Sequence, residues 1–244
     1  MPIPSGSDGV RAGRRSPRRT PPRAPSLLLA LALVPLLFAL PSSAVSCEVP
    51  TDYATIQAAL DDLDCASVSV LPGTYPESLV ITRSVVLSGV GGASATVLDV
   101  PAGEVGIRVA ASEVIVRGLQ VAGGATGVIV APEPPDGPAL ADVSLEHLDV
   151  HSAAGDGIAF ANAGGSVSDT AIHDNGDDGL SLAPALALAM SHTSIADNAG
   201  HGVRSRNSLA VAIADCEVSG NGGTGLLFVG GDEDPGLPAR VGVG

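Results

Sequence analysis

The stretch HDNGDDGLSL, residues 173–182, returns as ADNAGHGVRS at 196–205 and as SGNGGTGLLF at 219–228. In each copy an asparagine stands third, and a glycine followed by an apolar residue stands seventh. The same glycine–apolar step occurs earlier, at residues 106, 127 and 157. A unit of about 22 residues is too short to enclose a core of its own, so neighbouring units must stack on one another.

The segments between the turns are of strand length and rich in β-branched residues, which favours parallel strands stacked about 4.8 Å apart. Three columns of side chains are then predicted to point inward. The first contains Val116, Leu145, Val167, Met190 and Ile213; the second contains Leu119, Leu148, Thr170, Thr193 and Cys216; the third contains Val121, Val150, Ile172, Ile195 and Val218. Asn175, Asn198 and Asn221 are predicted to form a structural ladder of side-chain amides.

The charge of the chain limits its partners. The formal net charge is −14, and six of the twelve arginines precede residue 24. Beyond residue 24 six arginines face 25 acidic residues, which gives a net charge of about −19. Such a surface repels nucleic acid, anionic membranes and polyanionic substrates, unless a local basic patch compensates.

The N-terminal segment has the pattern of an export signal. Residues 11–23 are rich in arginine, an apolar run follows at 26–40, and small residues come next. This predicts a signal peptide, residues 1–44, with cleavage after Ala44. A membrane anchor is the alternative, although about 20 apolar residues are needed to cross a bilayer. We therefore expect a protein that is secreted, periplasmic or on the cell surface, and that is not integral to the membrane after cleavage.

The cysteines agree with export. Cys47 and Cys65 flank a short segment, and in an oxidising compartment they are predicted to form a disulfide that contributes about 3 kcal/mol. Lipidation of Cys47 is an alternative that would leave Cys65 without a partner. Cys216 occupies an apolar position of a later repeat and is predicted to be a small buried side chain.

A second signature precedes the repeats. The segment YATIQAALDDL (53–63) predicts a short amphipathic helix, with Ile56, Leu60 and Leu63 on one side, that covers the open end of the stack. The segment PGTYPE follows it at 72–77. Together these features resemble the start of secreted proteins of the pectin-lyase-like superfamily.

This resemblance implies an all-β fold, namely a single-stranded right-handed parallel β-helix with a short N-terminal capping helix. Residues 45–105 would form the cap and the first coils, and residues 106–244 would form the repeats. The final segment LPARVGVG (237–244) aligns with the start of another coil. We therefore expect a further β-helix segment or another chain at the C-terminal end.

Acidic residues recur at one position of successive coils. Asp156, Asp178 and His201 each precede a glycine–apolar step, and Asp177 stands beside Asp178. The pattern is similar to motifs of polygalacturonases. The resemblance implies that Asp177 protonates the leaving oxygen, that Asp156 and Asp178 activate water, that His201 supports them, and that Arg204 binds a uronate carboxylate.

The chain departs from that family in several places. Ala154 and Gly155 stand where the family has asparagine and threonine, the RVG at 240–242 is a displaced and incomplete match to its RIK motif, and there is no tryptophan to stack on sugar rings. Turns of any β-helix also favour glycine, asparagine and aspartate for backbone reasons.

Other polar residues suggest further sites. No cofactor or dedicated metal site is predicted, although Asp174 and Asp197 could share a loosely bound Ca²⁺ with Asp156 and Asp178. Glu146, His147 and Asp149, beside the proline-rich insertion 131–138, could form a second acid–base or substrate-binding cluster. Two outward columns contain histidine; the first contains His147, Asp169, His192 and Asp215, and the second contains His151 and His173. We interpret both as paired polar surface.

The sequence leads to one functional hypothesis and two alternatives. The first is an exported binding or scaffold module for polysaccharide or another surface component. The second is a polysaccharide hydrolase, lyase or epimerase that uses Asp156, Asp177, Asp178 and His201. The third is a structural spacer of a larger surface protein.

Overall fold

The computed structural model describes residues 45–230 and 240–243, so the predicted signal peptide lies outside the described residues. Within them, one short helix, α1 (Ile56–Asp61), accompanies strands in three sheets. Sheet A contains β1 (Val45–Val49), β2 (Cys65–Val70), β5 (Val85–Gly89), β8 (Val114–Arg117), β11 (Leu140–Glu146), β14 (Ala163–Ser168), β17 (Ala185–Ser191), β20 (Ala210–Ala214) and β23 (Arg240–Val243). Sheet B contains β3 (Gly73–Tyr75), β6 (Thr96–Val100), β9 (Gln120–Gly123), β12 (Asp149–His151), β15 (Ala171–His173), β18 (Ser194–Ala196) and β21 (Glu217–Ser219). Sheet C contains β4 (Leu79–Ile81), β7 (Val105–Val109), β10 (Thr126–Val130), β13 (Ile158–Phe160), β16 (Leu180–Leu182), β19 (Val203–Arg206) and β22 (Leu226–Val229).

These sheets are the three sides of a parallel β-helix. From β2 onward the chain visits sheets A, B and C in turn, and each strand pairs in parallel with the strand of the next coil. Val150, Ile172 and Ile195 therefore stand in register on successive rungs of sheet B. The predicted all-β stack of parallel coils is confirmed.

The predicted inward columns form the core. Apart from Cys216 and Val218, every residue of the three columns has at most 5% of its surface exposed. Cys216 and Val218 are only partly buried, although they pack against the core. Cys216 thus differs from the fully buried side chain that we expected, and its Sγ donates to the carbonyl oxygen of Ala214 at 3.1 Å.

The three asparagines line up along the helix axis. Asn175 Nδ2 donates to Asn198 Oδ1, and Asn198 Nδ2 donates to Asn221 Oδ1, both at 2.9 Å. Each accepting oxygen also receives the backbone N–H of the preceding asparagine, at 3.1 and 3.0 Å. A Cβ added at Gly179 would lie 2.8 Å from Asn198 Nδ2, so the turn needs glycine there. The ladder fixes the turns of adjacent rungs to one another.

Helix α1 covers the N-terminal end of the stack. Thr55 Oγ1 accepts from the N–H of Ala58, and the Glu77 carboxylate accepts from the N–H groups of Ile56 and Gln57 at 3.1 Å. Arg83 donates to the carbonyl oxygens of Leu60 and Asp62 at 3.0 and 2.7 Å. Both ends of this short helix are therefore held by side chains of the next coil, which satisfies backbone groups that a helix leaves unpaired.

The prediction that Leu63 belongs to the buried side of the helix is wrong. The helix ends at Asp61, and Leu63 is 83% exposed. Asp62 ends it by accepting the N–H of Asp64 at its side chain and the N–H of Cys65 at its carbonyl. This turn directs the chain into β2 and leaves Leu63 outside.

The two ends of the described stack differ. A disulfide joins Cys47 of β1 to Cys65 of β2, and both cysteines are buried. At the other end, β23 pairs with β20 in the register Ala210↔Arg240, so the final segment does begin another coil on sheet A. No helix among residues 45–230 and 240–243 is long and apolar enough to cross a membrane.

The corner between sheets A and B explains one of the histidine columns. His147, Asp169, His192 and Asp215 all adopt left-handed backbone, with φ between 49° and 52°. Histidine and aspartate are among the few side chains that visit this region readily. His192 and Asp215 lie 3.9 Å apart and are mostly exposed. The left-handed backbone therefore favours histidine and aspartate in this column, and one of the predicted pairs, His192 and Asp215, is also in contact.

Candidate functional site

The acidic residues of the repeats gather where the chain enters sheet C. Asp156, Asp178 and His201 lie two residues before the first residue of β13, β16 and β19, with one glycine between, and stand on successive rungs. Arg204 points outward from β19, in register with Ser181. The structure thus brings together all five residues that sequence analysis placed in one site.

Much of their bonding capacity is directed at the backbone. Asp156 Oδ1 accepts the N–H of Asp178 at 3.1 Å, and Asp178 Oδ1 accepts the N–H of His201 at 2.8 Å. His201 Nδ1 then accepts the N–H of Thr224 at 2.8 Å. These residues form a second ladder along the axis, beside the asparagines. The ladder gives them a structural role that does not depend on any ligand.

Asp178 is the most constrained member of the group. Its side chain is fully buried, and its Oδ2 forms an ion pair with Arg204 Nε. Oδ2 has no hydrogen-bond partner among the described residues, so the contact with Arg204 is an ion pair and not a hydrogen bond. We regard the close ion pair as the dominant contact because a buried carboxylate needs a counter-charge. Arg204 is therefore paired with Asp178 through Nε, so the predicted contact with a uronate would have to use its Nη groups.

Gly200, the glycine directly before His201, makes room for this arrangement. A Cβ added at Gly200 would lie 2.6 Å from Asp178 Oδ1 and 2.7 Å from Asp177 Oδ1. Close packing against Asp177 and Asp178 therefore accounts for the glycine at this position.

Asp177 and Asp156 are the carboxylates nearest to solvent. Asp177 is exposed, and Asp156 is half-buried. One oxygen each of Asp156, Asp177 and Asp178 lie within 4.8 Å of one another. Burial raises the pKa of the Asp156 carboxyl, and neighbouring Asp178 and Asp177 add to this, against the lowering effects of the Asp178 N–H and Arg204.

His201 has a defined tautomer. Since its Nδ1 accepts a backbone N–H, the neutral ring carries its proton on Nε2. That nitrogen can donate to a ligand, but Nδ1 cannot also serve as a base while the bond to Thr224 persists. The exposed part of the site therefore offers carboxylate acceptors and one imidazole donor.

The calcium set suggested by the sequence is not the set that the structure assembles. Asp174 and Asp197 occupy left-handed corner positions, and Asp174 Oδ2 contacts His173 Nδ1 at 2.7 Å. The acidic group that converges consists of Asp156, Asp177 and Asp178. Corner geometry directs Asp174 to sheet B, away from the other aspartates.

Glu146, His147 and Asp149 do not form one cluster. Glu146 ends β11 on sheet A, His147 is the corner, and Asp149 begins β12 on sheet B. Glu146 accepts from Ser144 Oγ at 2.7 Å and borders a groove of about 690 Å³ on the outer face of sheet A, whose floor includes Gly164 and Gly165. The left-handed corner turns Asp149 onto a different face.

Asp149 belongs instead to a polar network on the outer face of sheet B. His173 Nε2 contacts Asp149 Oδ1 at 2.9 Å, and Gln120 Nε2 donates to Asp149 Oδ2 at 3.2 Å. Burial lowers the pKa of His173, but hydrogen bonds to Asp174 and Asp149 raise it by more, so this pKa lies above its ordinary value. The shared column of His151 and His173 was visible in the sequence, but the roles of Gln120 and Asp149 were not.

Comparison with known proteins defines the class. Residues 84–236 match the family described as "Right handed beta helix region". The chain therefore belongs to this family, and its parallel β-helix is right-handed. No curated protein matches the chain at the sequence level.

Two solved structures share the fold. The A-module of mannuronan C-5 epimerase AlgE4 from Azotobacter vinelandii is 24% identical, with a TM-score of 0.65, and the match covers 82% of this chain and 61% of that one. The catalytic domain of a GH87 α-1,3-glucanase in complex with tetrasaccharides is 15% identical, with a TM-score of 0.51, and the match covers 79% and 38%. The chain thus spans about three fifths of the epimerase module. At these identities the likeness concerns the fold alone.

Proposed function

We propose that this chain is an exported β-helix module that binds polysaccharide at the entry of sheet C. The observation that carries the proposal is the use of Asp156, Asp178 and His201 in backbone hydrogen bonds. Groups fixed in this way are well suited to hold a ligand in one orientation. They are less suited to exchange protons in a catalytic cycle.

The groups that remain available match a hydroxyl-rich ligand. Asp177 is exposed, the second oxygen of Asp156 is free of that backbone bond, and His201 Nε2 carries a proton. Acceptors and a donor repeat along the axis at the rung spacing of about 4.8 Å, which is close to the length of one sugar unit. The groove on sheet A is lined mainly by small and apolar side chains, with Asp142 and Glu146 as its charged groups. We therefore place the ligand on sheet C.

Charge favours a neutral polysaccharide. Beyond residue 24 the chain has a net charge of about −19, and Arg204 is engaged by Asp178. The two structural relatives are named for a mannuronan epimerase and an α-1,3-glucanase, the latter solved with tetrasaccharides. A polysaccharide ligand is consistent with the names of both relatives. The negative charge of this protein favours a neutral polysaccharide over an acidic one.

The test is a binding measurement on panels of neutral glucans and acidic polyuronates. We expect saturable binding to a neutral glycan, weakened at least tenfold by Asp177→Asn. Asp197→Asn, which makes the same change at an exposed corner of the next rung, should bind like the wild type. Absence of binding to every glycan would contradict the proposal and would favour the spacer hypothesis.

One observation favours the enzyme alternative. The raised pKa of Asp156 is what a general acid requires, and the Asp177 carboxylate, with an oxygen within 4.8 Å, would be its partner. Assays for new reducing ends, unsaturated products and uronate epimerisation test it on the same panels. Turnover that disappears in Asp177→Asn would replace the binding proposal with an enzymatic one.

A further inference from the structure

A groove of about 690 Å³ crosses the outer face of sheet A, away from the proposed glycan site at the entry of sheet C. It reaches from Ile115 on β8 to Leu186 on β17 and therefore spans three rung interfaces, about 14 Å at a rung spacing of about 4.8 Å. Cavities of this volume commonly hold small organic ligands. The groove is therefore a candidate site for a ligand other than the glycan.

Irregular pairing of β14 with both of its neighbours forms the walls of the groove. Between matched pairs of residues, β11 and β17 each contain one residue more than β14 does. In each bulged strand two consecutive residues lie outside the core, namely Ala141 and Asp142 of β11 and Leu186 and Ala187 of β17. These four residues line the two sides of the groove.

The floor of the groove consists of backbone because β14 has glycine there. A Cβ at Gly165 would overlap the carbonyl oxygen of Val143, and a Cβ at Gly164 would lie 2.8 Å from the carbonyl oxygen of Ala187. Bulges beside binding sites commonly redirect a side chain. Here the redirected side chain is that of Asp142, which has a φ of 57° and is exposed at the rim.

The side chains that line the groove offer acceptors and no free donor. Ser144 Oγ donates to Glu146 Oε1 at 2.7 Å, because an ionised carboxylate only accepts. The contact of 3.0 Å between Ser144 Oγ and Ser166 Oγ must then use the proton of Ser166. Both hydroxyl protons are thus consumed within the groove. A ligand that binds to the Asp142 carboxylate and to the second oxygen of Glu146 must donate.

Both carboxylates lack a counter-charge. Arg117 stands in register with Glu146, but its Nε donates to Ser88 Oγ at 2.8 Å, on the strand at the other side of β8. Within residues 45–230 and 240–243, neither Asp142 nor Glu146 forms an ion pair. The net charge of about −19 beyond residue 24 adds to the negative potential. The groove therefore favours a cation.

We propose that the sheet A groove binds a linear aliphatic diamine or polyamine. The two carboxylates stand at different points along β11, so a ligand with an ammonium group at each end contacts both. The alkyl chain between these groups lies against Ile115, Leu186 and the glycine floor. This arrangement removes apolar surface from water and gives each carboxylate a charged donor.

Other ligands fit the groove less well. Each sugar hydroxyl both donates and accepts, and the side chains of the groove have no free donor for the accepting half. A basic peptide also supplies ammonium groups, but its backbone amides would lie against an apolar floor, which is costly without partners. An aliphatic amine has no such unmet requirement.

The experiment is calorimetric titration of the full-length protein at pH 7.5 and low ionic strength, where screening is weak. Three ligands of equal chain length are compared, hexamethylenediamine, hexylamine and hexanediol, which carry two, one and no ammonium groups. We expect one saturable site for the diamine, at least tenfold weaker binding of the monoamine and no binding of the diol. Asp142→Asn, which keeps a residue type that tolerates positive φ, and Glu146→Gln should each weaken diamine binding at least fivefold.

Two further variants separate the groove from a general attraction of cations to an acidic surface. Ala187→Phe fills the groove and keeps both carboxylates, so it should weaken diamine binding at least tenfold. Asp99→Asn removes one charge from the exposed face of sheet B and should bind like the wild type. Circular dichroism of each variant checks the fold, and the two carboxylate variants remain informative if Ala187→Phe fails to fold.

Four results would overturn the proposal. They are an absence of saturable diamine binding, equal binding of diamine and diol, equal losses in Asp99→Asn and Glu146→Gln, or saturable binding of a tetralysine peptide without binding of the diamine. The third would indicate general surface attraction, and the fourth would assign the groove to a basic partner protein. None of them bears on the glycan proposal, which is tested at Asp177.

Discussion

At the scale of single residues, the same side chains that resemble a catalytic motif are explained by contacts between rungs. Asp178 accepts the N–H of His201 and pairs with Arg204, and Gly200 leaves space for its carboxylate. A sequence pattern records that such residues recur, but it does not record which backbone groups they bind. This is why the position of the site could be predicted from the sequence and the roles of its residues could not.

The pKa of Asp156 leads to a prediction about stability. Burial raises the pKa of this carboxyl, so the folded state holds the proton more tightly than the unfolded chain does. The ionised group therefore costs stability above its raised pKa, and this cost shrinks as pH falls below that value and is gone below the ordinary pKa of the unfolded chain. We expect Asp156→Asn to be more stable than the wild type at neutral pH and to lose this advantage in acid.

Denaturant unfolding at a series of pH values measures this difference. Asp197→Asn is the matched control, because it removes a charge from an exposed position. A wild type that is as stable as Asp156→Asn at neutral pH would show that burial of this carboxylate carries no cost.

At the scale of elements, the corner between sheets A and B shows how backbone conformation selects residues. Gly118, His147, Asp169, His192 and Asp215 share this corner, and all have positive φ. The sequence showed a column of histidine and aspartate. Side-chain pairing between neighbouring strands and a left-handed backbone would each favour these residue types, so the sequence alone does not tell which applies. The structure shows left-handed backbone at all of these positions and one His–Asp contact among them, between His192 and Asp215. The structure was also needed to show that Asp62 ends helix α1 before Leu63.

Substitution at this corner distinguishes backbone from pairing. Asp169→Val places a β-branched residue in left-handed backbone and should destabilise the protein by about 1–2 kcal/mol. Asp169→Gly removes the charge as well, but it should change the free energy of unfolding by less than about 0.5 kcal/mol. Equal losses in both variants, measured by denaturant unfolding, would instead point to the lost carboxylate.

At the scale of the whole molecule, the fold was predictable because repeats turn sequence distance into spatial contact. The asparagines, the inward columns and the final segment at Arg240 each fall where the period places them. Inward positions repeat because every rung has the same core to fill. Outward positions such as Gln120 and Asp149 follow no such rule, so the network on sheet B was not predictable.

Repetition also predicts which deletions the fold tolerates. Removal of residues 175–197 joins Asp174 to Asn198, which occupies the same place in its rung as Asn175. We expect this variant to fold with an unchanged circular dichroism spectrum per residue and a cooperative transition. Removal of 175–186, about half a rung, would place sheet A residues in sheet C and should prevent folding. If both deletion variants fail to fold, the expectation that one whole rung can be removed without loss of the fold is contradicted.

The hydrogen bonds between rungs all run along the helix axis, and this determines how the molecule carries mechanical load. Tension applied along the axis passes through the rung interfaces in series, so the weakest interface ruptures first. The Cys47–Cys65 bridge protects the interface between β1 and β2, because a covalent bond must break before these strands part. Rupture under force is therefore expected to begin at a rung interface that no covalent bond crosses, and not between β1 and β2.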